Sequence, residues 1–455
     1  MQPNRRRMIQ SLAGSGLLLP GLLSEMLQGA PAGAVKDPLA PRQPHFPAKV
    51  KRVIFLFMTG AVSQVDTFDP KPYLDKHHNQ SNGKRRFYKG SDWKFQPYGK
   101  SGIEVSDLFP NVGSVIDDIC LIRSMQNING DHFGATIGIH TGTATFNRPS
   151  IGSWVSYGLG TENRNLPSFM VISPGLPYAG GQVWGSDFLP VLHQGTRIIP
   201  GKEPIANMSR RSFSLKQQQT ELDLLSFFNR QHLKGREQDP NLVGRIKSFE
   251  TAFGMQMAAP EAFDLSGESA ETHALYGLKP GSTEGFGWQC LVARRLAERG
   301  VRFIELIDGD TNIDSNWDAH AKMATYNKLS RNVDQPIAAL VKDLKRRGML
   351  DETLVVWSAE FGRTPMAQGT TGDGTKRSKA GRDHHKDAYS VWMAGGGSKA
   401  GHVHGATDEL GYAIARDPVH VHDFNATILH LLGIDHKRLT VRHNSIDRRL
   451  TDVHG

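Results

Sequence analysis

Apolar runs of strand length alternate with helical patterns along most of this 455-residue chain, and this alternation constrains the fold more than any other feature. Residues 53–58 form a continuous apolar run, and similar runs occur in "VRFIELI", "TLVVWSAEF" and "AYSVWMAGG". Continuous apolar runs are typical of strands that are buried on both faces. Because strands that alternate with helices form mostly parallel sheets, the sequence predicts an α/β fold with a mostly parallel central sheet and helices on both faces.

Helical patterns fill the spaces between these runs. We expect helices at about residues 105–118 and 319–347, and a further helix in "HVHDFNATILHLLGI". The stretch at about 175–285 is less regular, with Gly and Pro turns around two helical segments, "QQQTELDLLSFFNRQHL" and "NLVGRIKSFETAFGMQM". We interpret this stretch as an insertion or cap on the main sheet. The expected domain spans residues 51–455, and a Pro-rich linker at residues 35–50 precedes it.

The first 34 residues have the features of an export signal rather than of a folded domain. Arg5, Arg6 and Arg7 precede a weakly apolar stretch, and small residues at 30–34 offer a cleavage site. Paired arginines before such a stretch are typical of a twin-arginine signal peptide. The stretch is too short and too interrupted to span a bilayer. We expect residues 1–34 to be removed, no integral membrane span to remain, and a periplasmic or extracellular location. The alternative is a basic amphipathic tail.

The charge distribution restricts the class of partner. The formal net charge is +9, and it falls to +7 without residues 1–34. The mature chain has one dense basic run, "GKRR", and its aromatic residues are not interleaved with cations as in nucleic-acid modules. We expect no nucleic-acid partner, whereas a mildly basic surface suits an anionic ester, including one carried by a polysaccharide. The two cysteines, Cys120 and Cys290, lie in apolar surroundings and are expected to be buried thiols.

Three segments carry carboxylates or imidazoles at or near the ends of predicted strands. They supply Asp318 and His320 in "NWDAHAKM", Glu360 in "SAEFGRTP", and Asp383, His384 and His385 in "GRDHHKD". Because ligands collect at the carboxyl edge of α/β sheets, we expect a metal site assembled from several strand ends. Such ligands suit zinc first, and also manganese, iron or calcium, and the number of ions is open. In an extended segment His384 and His385 point to opposite faces, so one binds the metal while the other, or Asp383, orients it.

Two of these segments also have a structural interpretation. Asp318 is suited to cap a helix, with His320 as a solvated neighbour. Glu360 and Arg363 are suited to form a salt bridge, although Arg363 would also hold an anionic group bidentately. We therefore count Arg363 as a candidate catalytic residue that binds the substrate.

The candidate nucleophiles are hydroxyl groups near the first strand and in "HTGTA". Ser63 and Asp66 follow the first strand, where a metal-dependent hydrolase needs a hydroxyl and an anchoring carboxylate. An Asx turn at Asp66 is the structural alternative. Thr141 is the rival nucleophile. The candidate supporting residues or alternative ligands, for which a structural role is also open, are His132, His140 and His422.

Several catalytic motifs are absent from the sequence. It has no G-x-S-x-G elbow, no H-E-x-x-H and no P-loop, and "CLIR" at 120–123 lacks the proline of a formylglycine motif. We therefore predict an exported metal-dependent hydrolase of phosphate or sulfate esters that does not use formylglycine. The alternatives are a non-catalytic exported binding or structural protein on the same fold, and metal-dependent action on a non-ester substrate.

The longer strings resemble the domain-of-unknown-function 1501 family. They include "KRVIFLFMTGAVSQVDTFDPKP", "LVARRLAERGVRFIEL" and "GRDHHKDAYSVWMAGGG", and the resemblance runs from about residue 51 to 455. Members of this family are described as exported and sulfatase-like and are grouped with the alkaline phosphatase superfamily. The resemblance implies an alkaline-phosphatase-like fold, commonly with two metals.

The superfamily order implies a role for each candidate. Asp66 is the acidic group after the first strand, Asp318 and His320 supply one metal, Glu360 supplies the other, and His384 or His385 completes the site. The chain departs from the pattern in two places. Glu360 and Phe361 stand where the superfamily has an Asp-His pair, and "GAVS" replaces the usual "GGPS" of the family. The second departure weakens the case for Ser63 as the nucleophile.

Overall fold

A computed structural model describes residues 37–454, except 84–85, 207–213, 237–238, 313–314 and 369–380. The expected signal peptide therefore lies outside the described residues. The chain divides into two units, Met1–Pro38 and Leu39–Gly455, and the helices and strands described below all belong to the second.

The strands follow the apolar runs of the sequence. They are β1 (Arg52–Met58), β2 (Phe95–Tyr98), β3 (Ile103–Ser106), β4 (Ile119–Gln126), β5 (Phe169–Ile172), β6 (Thr196–Ile198), β7 (Phe303–Asp308), β8 (Thr353–Ser358), β9 (Gly362–Ala367), β10 (Arg382–His385), β11 (Tyr389–Ala394), β12 (His402–His404), β13 (Ala406–Thr407), β14 (Ile414–Arg416), β15 (Val419–His420), β16 (Val441–His443) and β17 (Ile446–Arg448).

The helices lie between the strands. They are α1 (Gln64–Thr67), α2 (Pro72–Lys76), α3 (Pro110–Gly113), α4 (His132–Thr141), α5 (Ile151–Leu159), α6 (Leu215–Leu233), α7 (Pro240–Phe263), α8 (Ala270–Leu275), α9 (Phe286–Glu298), α10 (Tyr326–Arg346) and α11 (Val421–Leu431).

Among the described residues, nine strands form one sheet. Their order is β12-β4-β11-β8-β1-β7-β5-β6, with β15 also paired to β4. Strand β11 is antiparallel to both of its neighbours, and the other pairs are parallel. The predicted mostly parallel central sheet is confirmed.

The central strand β1 separates two hydrophobic cores. Its side chains alternate, so Ile54, Leu56 and Met58 pack in the core that includes α9 and α10. Val53, Phe55 and Phe57 pack in the core that includes α4, α5 and α11. Residues 53–58 are therefore all buried, as a strand covered on both faces requires. The predicted layer of helices on each face of the sheet is confirmed.

Two expected helices differ from the structure. Residues 105–118 contain the end of β3, the single turn of α3 and a 3₁₀ turn (Ile116–Asp118). The expected helix does not begin at residue 105, because residues 103–106 pair with β2 as a strand. The expected helix at 319–347 begins only at Tyr326. Residues 319–320 have a different role, since the Ala319 carbonyl accepts a hydrogen bond from the Arg382 amide and His320 lies in the cluster described below.

The sheet brings several loops to one edge. Strands β7, β1 and β8 are parallel neighbours, with Met58 opposite Asp308 and Phe57 opposite Ser358, so their carboxyl ends lie side by side. Strand β4 has the same direction as β8, because β11 lies antiparallel between them. The residues after β4, β7 and β8 and those before β11 therefore meet at this edge. In the described part of the chain, the helices are too short or too polar to cross a membrane.

Candidate metal centre

Four side chains of metal-ligating type converge at this edge. They are His132, Asp318, His320 and His384, and one ligand atom from each lies within 4.8 Å of those of the others. His132 opens α4 after β4, Asp318 and His320 follow β7, and His384 lies on β10 just before β11. Residues that are far apart in sequence thus come together because their strands end, or begin, at the same edge.

Asp318 lies at the centre of the cluster. Its Oδ1 atom is 2.9 Å from His320 Nε2, 3.2 Å from His132 Nε2 and 3.5 Å from His384 Nε2. The same oxygen accepts a hydrogen bond of 2.5 Å from Arg363 Nη2. Burial opposes the charged form, but the three imidazoles and the Arg363 guanidinium outweigh it and hold the pKa of Asp318 well below its usual range. Asp318 is therefore a carboxylate.

The tautomers of two histidines are set by carbonyl oxygens. His320 Nδ1 donates to the side-chain carbonyl of Gln368, and His384 Nδ1 donates to the backbone carbonyl of Gly130 over 2.9 Å. A carbonyl oxygen only accepts hydrogen bonds, so each Nδ1 carries a proton and each Nε2 is the ring nitrogen that faces the cluster. The two Nε2 atoms lie 2.8 Å apart. Both atoms lie beside Asp318 Oδ1.

His132 is held by a buried carboxylate. Its Nδ1 lies 2.6 Å from Glu360 Oε1, which also accepts a hydrogen bond of 2.8 Å from the Gly60 amide. Glu360 is fully buried, and its Oε2 atom has no hydrogen-bond partner among the described residues. Burial lowers the pKa of His132, but Asp318 and Glu360 outweigh this effect and raise it to about 9. The ring is thus oriented with Nδ1 on Glu360 and Nε2 toward the cluster.

Arg363 connects the cluster to the loop after β1. Its guanidinium is fully buried and donates to the carbonyl oxygens of Gly60, Ala61 and Arg382 as well as to Asp318. Gly60 has a φ of 105°, and a Cβ on it would lie 2.6 Å from the Trp317 amide nitrogen. Only glycine allows this close approach of the two loops. Arg363 forms an ion pair with Asp318 rather than the salt bridge with Glu360 that was the structural alternative.

Ser63 and Asp66 lie in a separate buried network. Ser63 Oγ donates to Asp66 Oδ2 over 2.6 Å, and Asp66 forms an ion pair with Arg382. The Ser63 amide donates to the Tyr326 hydroxyl over 3.0 Å. The structure therefore does not bring Asp66 into the four-residue cluster, and the Ser63 hydroxyl is committed to an internal acceptor.

Thr141 and His140 lie at the far end of α4 from His132. Thr141 Oγ1 donates to the carbonyl of Ile137 over 2.9 Å, as hydroxyls in helices often do. His140 Nε2 lies 2.7 Å from Glu305 Oε1, and both side chains are buried in the core. Neither residue belongs to the cluster.

The two neighbours of His384 point away from the cluster. Asp383 Oδ1 accepts a hydrogen bond of 2.9 Å from the His384 amide. His385 Nε2 lies 2.7 Å from the carbonyl of Tyr412. Asp383 therefore braces the backbone beside His384, and His385 contacts the loop before β14.

His422 belongs to a different group of histidines. It stacks on His454, with 4.7 Å between ring centroids, and on His420, with 4.8 Å. Burial, with the neighbouring histidines, lowers its pKa to about 4. The cluster around Asp318 does not include it.

Tyr178 and Gln368 also contact the cluster, although no sequence pattern predicted them. The Tyr178 ring stacks on His132 at a centroid distance of 4.2 Å, and its hydroxyl accepts a hydrogen bond of 3.1 Å from Asn316 Nδ2. Burial and the charges of Asp318 and Glu360 raise the pKa of Tyr178 to about 12. One signal was available: Tyr178 follows β5, the strand next to β7 in the sheet.

Comparisons with known proteins give low similarity to solved structures. A search of curated proteins finds no match. The lipoteichoic acid synthase LtaP of Listeria monocytogenes is 9% identical with a TM-score of 0.39, over 88% of this chain and 77% of that chain. The alkaline phosphatase of the Antarctic bacterium TAB5 is 11% identical with a TM-score of 0.36, over 86% and 99% of the two chains. The PsFucS1 sulfatase of Pseudoalteromonas sp. is 13% identical with a TM-score of 0.36, over 86% and 68%. Likeness at this level says nothing about substrate or reaction.

The family comparison covers nearly all of the described domain. The model of the family described as "Protein of unknown function (DUF1501)" matches residues 50–455. The matched residues include every strand and helix described above and the four residues of the cluster. The chain therefore belongs to the DUF1501 family.

Proposed function

We propose that this protein is an exported, metal-dependent hydrolase of phosphate or sulfate esters, and that His132, Asp318, His320 and His384 hold the metal ion. The observation that carries the proposal is the 2.8 Å approach of His320 Nε2 and His384 Nε2. Both Nδ1 atoms donate to carbonyl oxygens, so the Nε2 atoms are the ring nitrogens available to bind a metal. Two ring nitrogens lie this close when a proton or a metal cation lies between them.

The donor set fits a divalent transition metal. Three imidazoles and one carboxylate suit zinc, manganese or iron better than calcium, which prefers oxygen ligands. Gln368, Gly130 and Glu360 hold the Nδ1 atoms, as is typical of metal-binding histidines. When bound, such an ion supplies Lewis-acid stabilisation of negative charge on an ester oxygen.

The chain's own residues prepare the site for an anion. Arg363 places positive charge beside Asp318, and three backbone carbonyls fix its guanidinium in the metal-free protein. The Tyr178 ring covers one face of His132 and excludes water from it. This preorganised positive charge favours a phosphate or sulfate group over a neutral one.

A specific observation favours a second candidate, a non-catalytic binding protein on the same fold. The hydroxyls of Ser63 and Thr141 both donate to internal acceptors. A nucleophile has to face the reacting group, and neither hydroxyl contacts the cluster in the described residues. The roles of Ser63 and Thr141 as nucleophiles therefore stay predictions.

Metal analysis tests the proposal. The purified protein is dialysed with zinc or manganese, washed, and measured by inductively coupled plasma mass spectrometry. We expect near-stoichiometric metal, lost in an Asp318→Ala, His320→Ala, His384→Ala triple variant. His385→Ala is the matched control, because His385 lies on the same strand but contacts Tyr412. Metal-loaded protein is then assayed with p-nitrophenyl phosphate and p-nitrophenyl sulfate. Absence of metal in the wild type contradicts the proposal, and metal without hydrolysis of any ester favours the binding protein.

A further inference from the structure

Helix α6 carries a large exposed apolar face. Leu224, Leu225, Phe227 and Phe228 are each between 48 and 56% exposed. At about 100° per residue these four side chains lie on one side of the helix. A contiguous apolar patch of this kind on a helix marks an interaction surface.

The opposite side of α6 is already covered by the protein. Leu222, Ser226 and Asn229 are partly buried and line a groove of about 440 Å³ between α6 and α7. Gln218 donates to Gln256 of α7 over 2.6 Å. Helix α7 in turn packs into the main core through Met255, Ala259 and Ala262. Leu225 also lines this groove, whereas Leu224, Phe227 and Phe228 do not, so the apolar face that these three residues form points away from the domain.

Acidic residues, an arginine and a histidine flank the apolar face. Their order along α6 would place opposite types together if two copies of this face met. Glu221 and His232 lie along one edge of the face that Leu224, Phe227 and Phe228 form, and Asp223 and Arg230 lie along the other. All four are exposed. On each edge the acidic residue is toward the amino end of the helix and the basic or imidazole residue is toward the carboxyl end.

The two edges share one centre of symmetry. Glu221 and His232 are equally distant from the point midway between Ser226 and Phe227, and so are Asp223 and Arg230. Phe227 of the apolar face lies next to this point. A two-fold axis through it places a second α6 antiparallel to the first and brings residues of the same edge together.

We propose that the apolar face of α6 binds the same face of a second copy of this chain, in an antiparallel two-fold contact. Phe227 meets Phe227 of the partner subunit near the axis, Leu224 meets the partner's Phe228, and these apolar side chains leave water. Asp223 meets the partner's Arg230, and Glu221 meets the partner's His232. A parallel arrangement would instead bring like charges together, so the charge order selects the antiparallel dimer.

Sedimentation velocity of the full exported chain tests this dimer. We expect a dimer in the wild type and a monomer in Leu224→Glu/Phe228→Glu, with unchanged circular dichroism because both side chains are exposed. A wild type that is monomeric at 100 µM overturns the proposal. A dimer that persists in the double variant also overturns it, since the contact would then lie elsewhere.

Charge reversal tests the antiparallel order itself. Variant one carries Glu221→Lys and Asp223→Lys, and variant two carries Arg230→Glu and His232→Glu. Each alone should dimerise about tenfold more weakly or worse, because each faces like charges across the axis. An equimolar mixture should form heterodimers, because three of the four facing pairs then have opposite charge and the fourth is Glu221 against His232. Failure of the mixture to associate, or binding of monomeric wild type to phosphatidylglycerol vesicles through this face, overturns the proposal.

Discussion

Asp66 and Arg382 form an ion pair in which both side chains are fully buried, with Arg382 Nε donating to Asp66 Oδ2 over 2.6 Å and Nη2 donating to Oδ1 over 3.1 Å. The pair joins α1, the short helix after β1, to β10, the strand that carries His384. Burial opposes ionisation of Asp66, but the Arg382 charge and the hydrogen bonds outweigh it and lower the pKa of Asp66. This pair therefore holds one wall of the candidate site in position.

Removal of one partner of this pair should destabilise the protein strongly. We expect Asp66→Asn or Arg382→Met to lower the free energy of unfolding by about 3–5 kcal/mol, because each leaves a polar group buried without its partner. Urea denaturation followed by circular dichroism measures this change. Arg442 and Asp447 form an exposed control pair at 3.2 Å, and Asp447→Asn should cost at most about 1 kcal/mol. Equal losses in the two pairs would contradict the structural role assigned to Asp66.

Gln368 should act as a positioning residue for His320. Gln368→Leu removes the acceptor of His320 Nδ1, so the ring is free to rotate and its Nε2 lone pair loses its fixed direction. We expect metal affinity to fall about 10- to 100-fold, with the fold unchanged. Competition with a chromophoric chelator measures the affinity. Gln368→Glu retains an acceptor oxygen and should restore most of it. Unchanged affinity in the leucine variant would show that His320 is held by other contacts.

The strand-end rule predicted much of the site because it depends only on topology. Apolar runs located β1, β7 and β8, and parallel pairing then placed Asp318 and Glu360 at one edge. The same rule does not show which nearby carboxylate faces the cluster. Asp66 also follows β1, but it pairs with Arg382, which is 316 residues away in the chain. Such a long-range partner depends on the path of β9 and β10, which no local pattern encodes.

The contacts that Tyr178 and Gln368 make with the cluster depend on side-chain packing, which the pattern of residue types in the sequence does not show. Tyr178 lies in a loop after β5, and its stacking on His132 requires the packed positions of β5 and α4. The Gln368 contact with His320 likewise requires the turn that delays α10 until Tyr326. A sequence supplies the types of residue at a strand end, whereas their directions follow from tertiary structure.

Glu360 should control the protonation of His132 in the metal-free protein. A negative charge stabilises the imidazolium, so Glu360→Gln should lower the pKa of His132 from about 9 toward the ordinary histidine value. Nuclear magnetic resonance of ¹³C-labelled histidine in the presence of a chelator measures this pKa, with His132→Asn for assignment. Glu305→Gln is the matched control, because that buried glutamate pairs with His140 instead. If both variants left His132 near 9, the Glu360 contact would not be responsible.

His193 should make the protein less stable in mild acid. Its side chain is 1% exposed, its Nδ1 lies 2.9 Å from Ser156 Oγ, and burial, aided by the Arg42 charge, lowers its pKa to about 3. The unfolded chain has the ordinary histidine value of about 6.5. Between these two pH values the unfolded state binds a proton that the folded state does not. The free energy of unfolding therefore falls as the pH decreases below 6.5, by up to about 1.4 kcal/mol per pH unit for this group, and levels off below pH 3.

His193→Gln isolates this contribution, because glutamine keeps a polar group near Ser156 but does not titrate in this range. We expect the variant to have a shallower dependence of unfolding free energy on pH between 6 and 4, measured by urea denaturation. A residual slope should remain, since His422 also has a lowered pKa, of about 4. His430→Gln, at an exposed position on α11, should leave the slope as in the wild type. Identical slopes in wild type and His193→Gln would mean that the folded protein binds a proton at His193, and that this buried site is open to water.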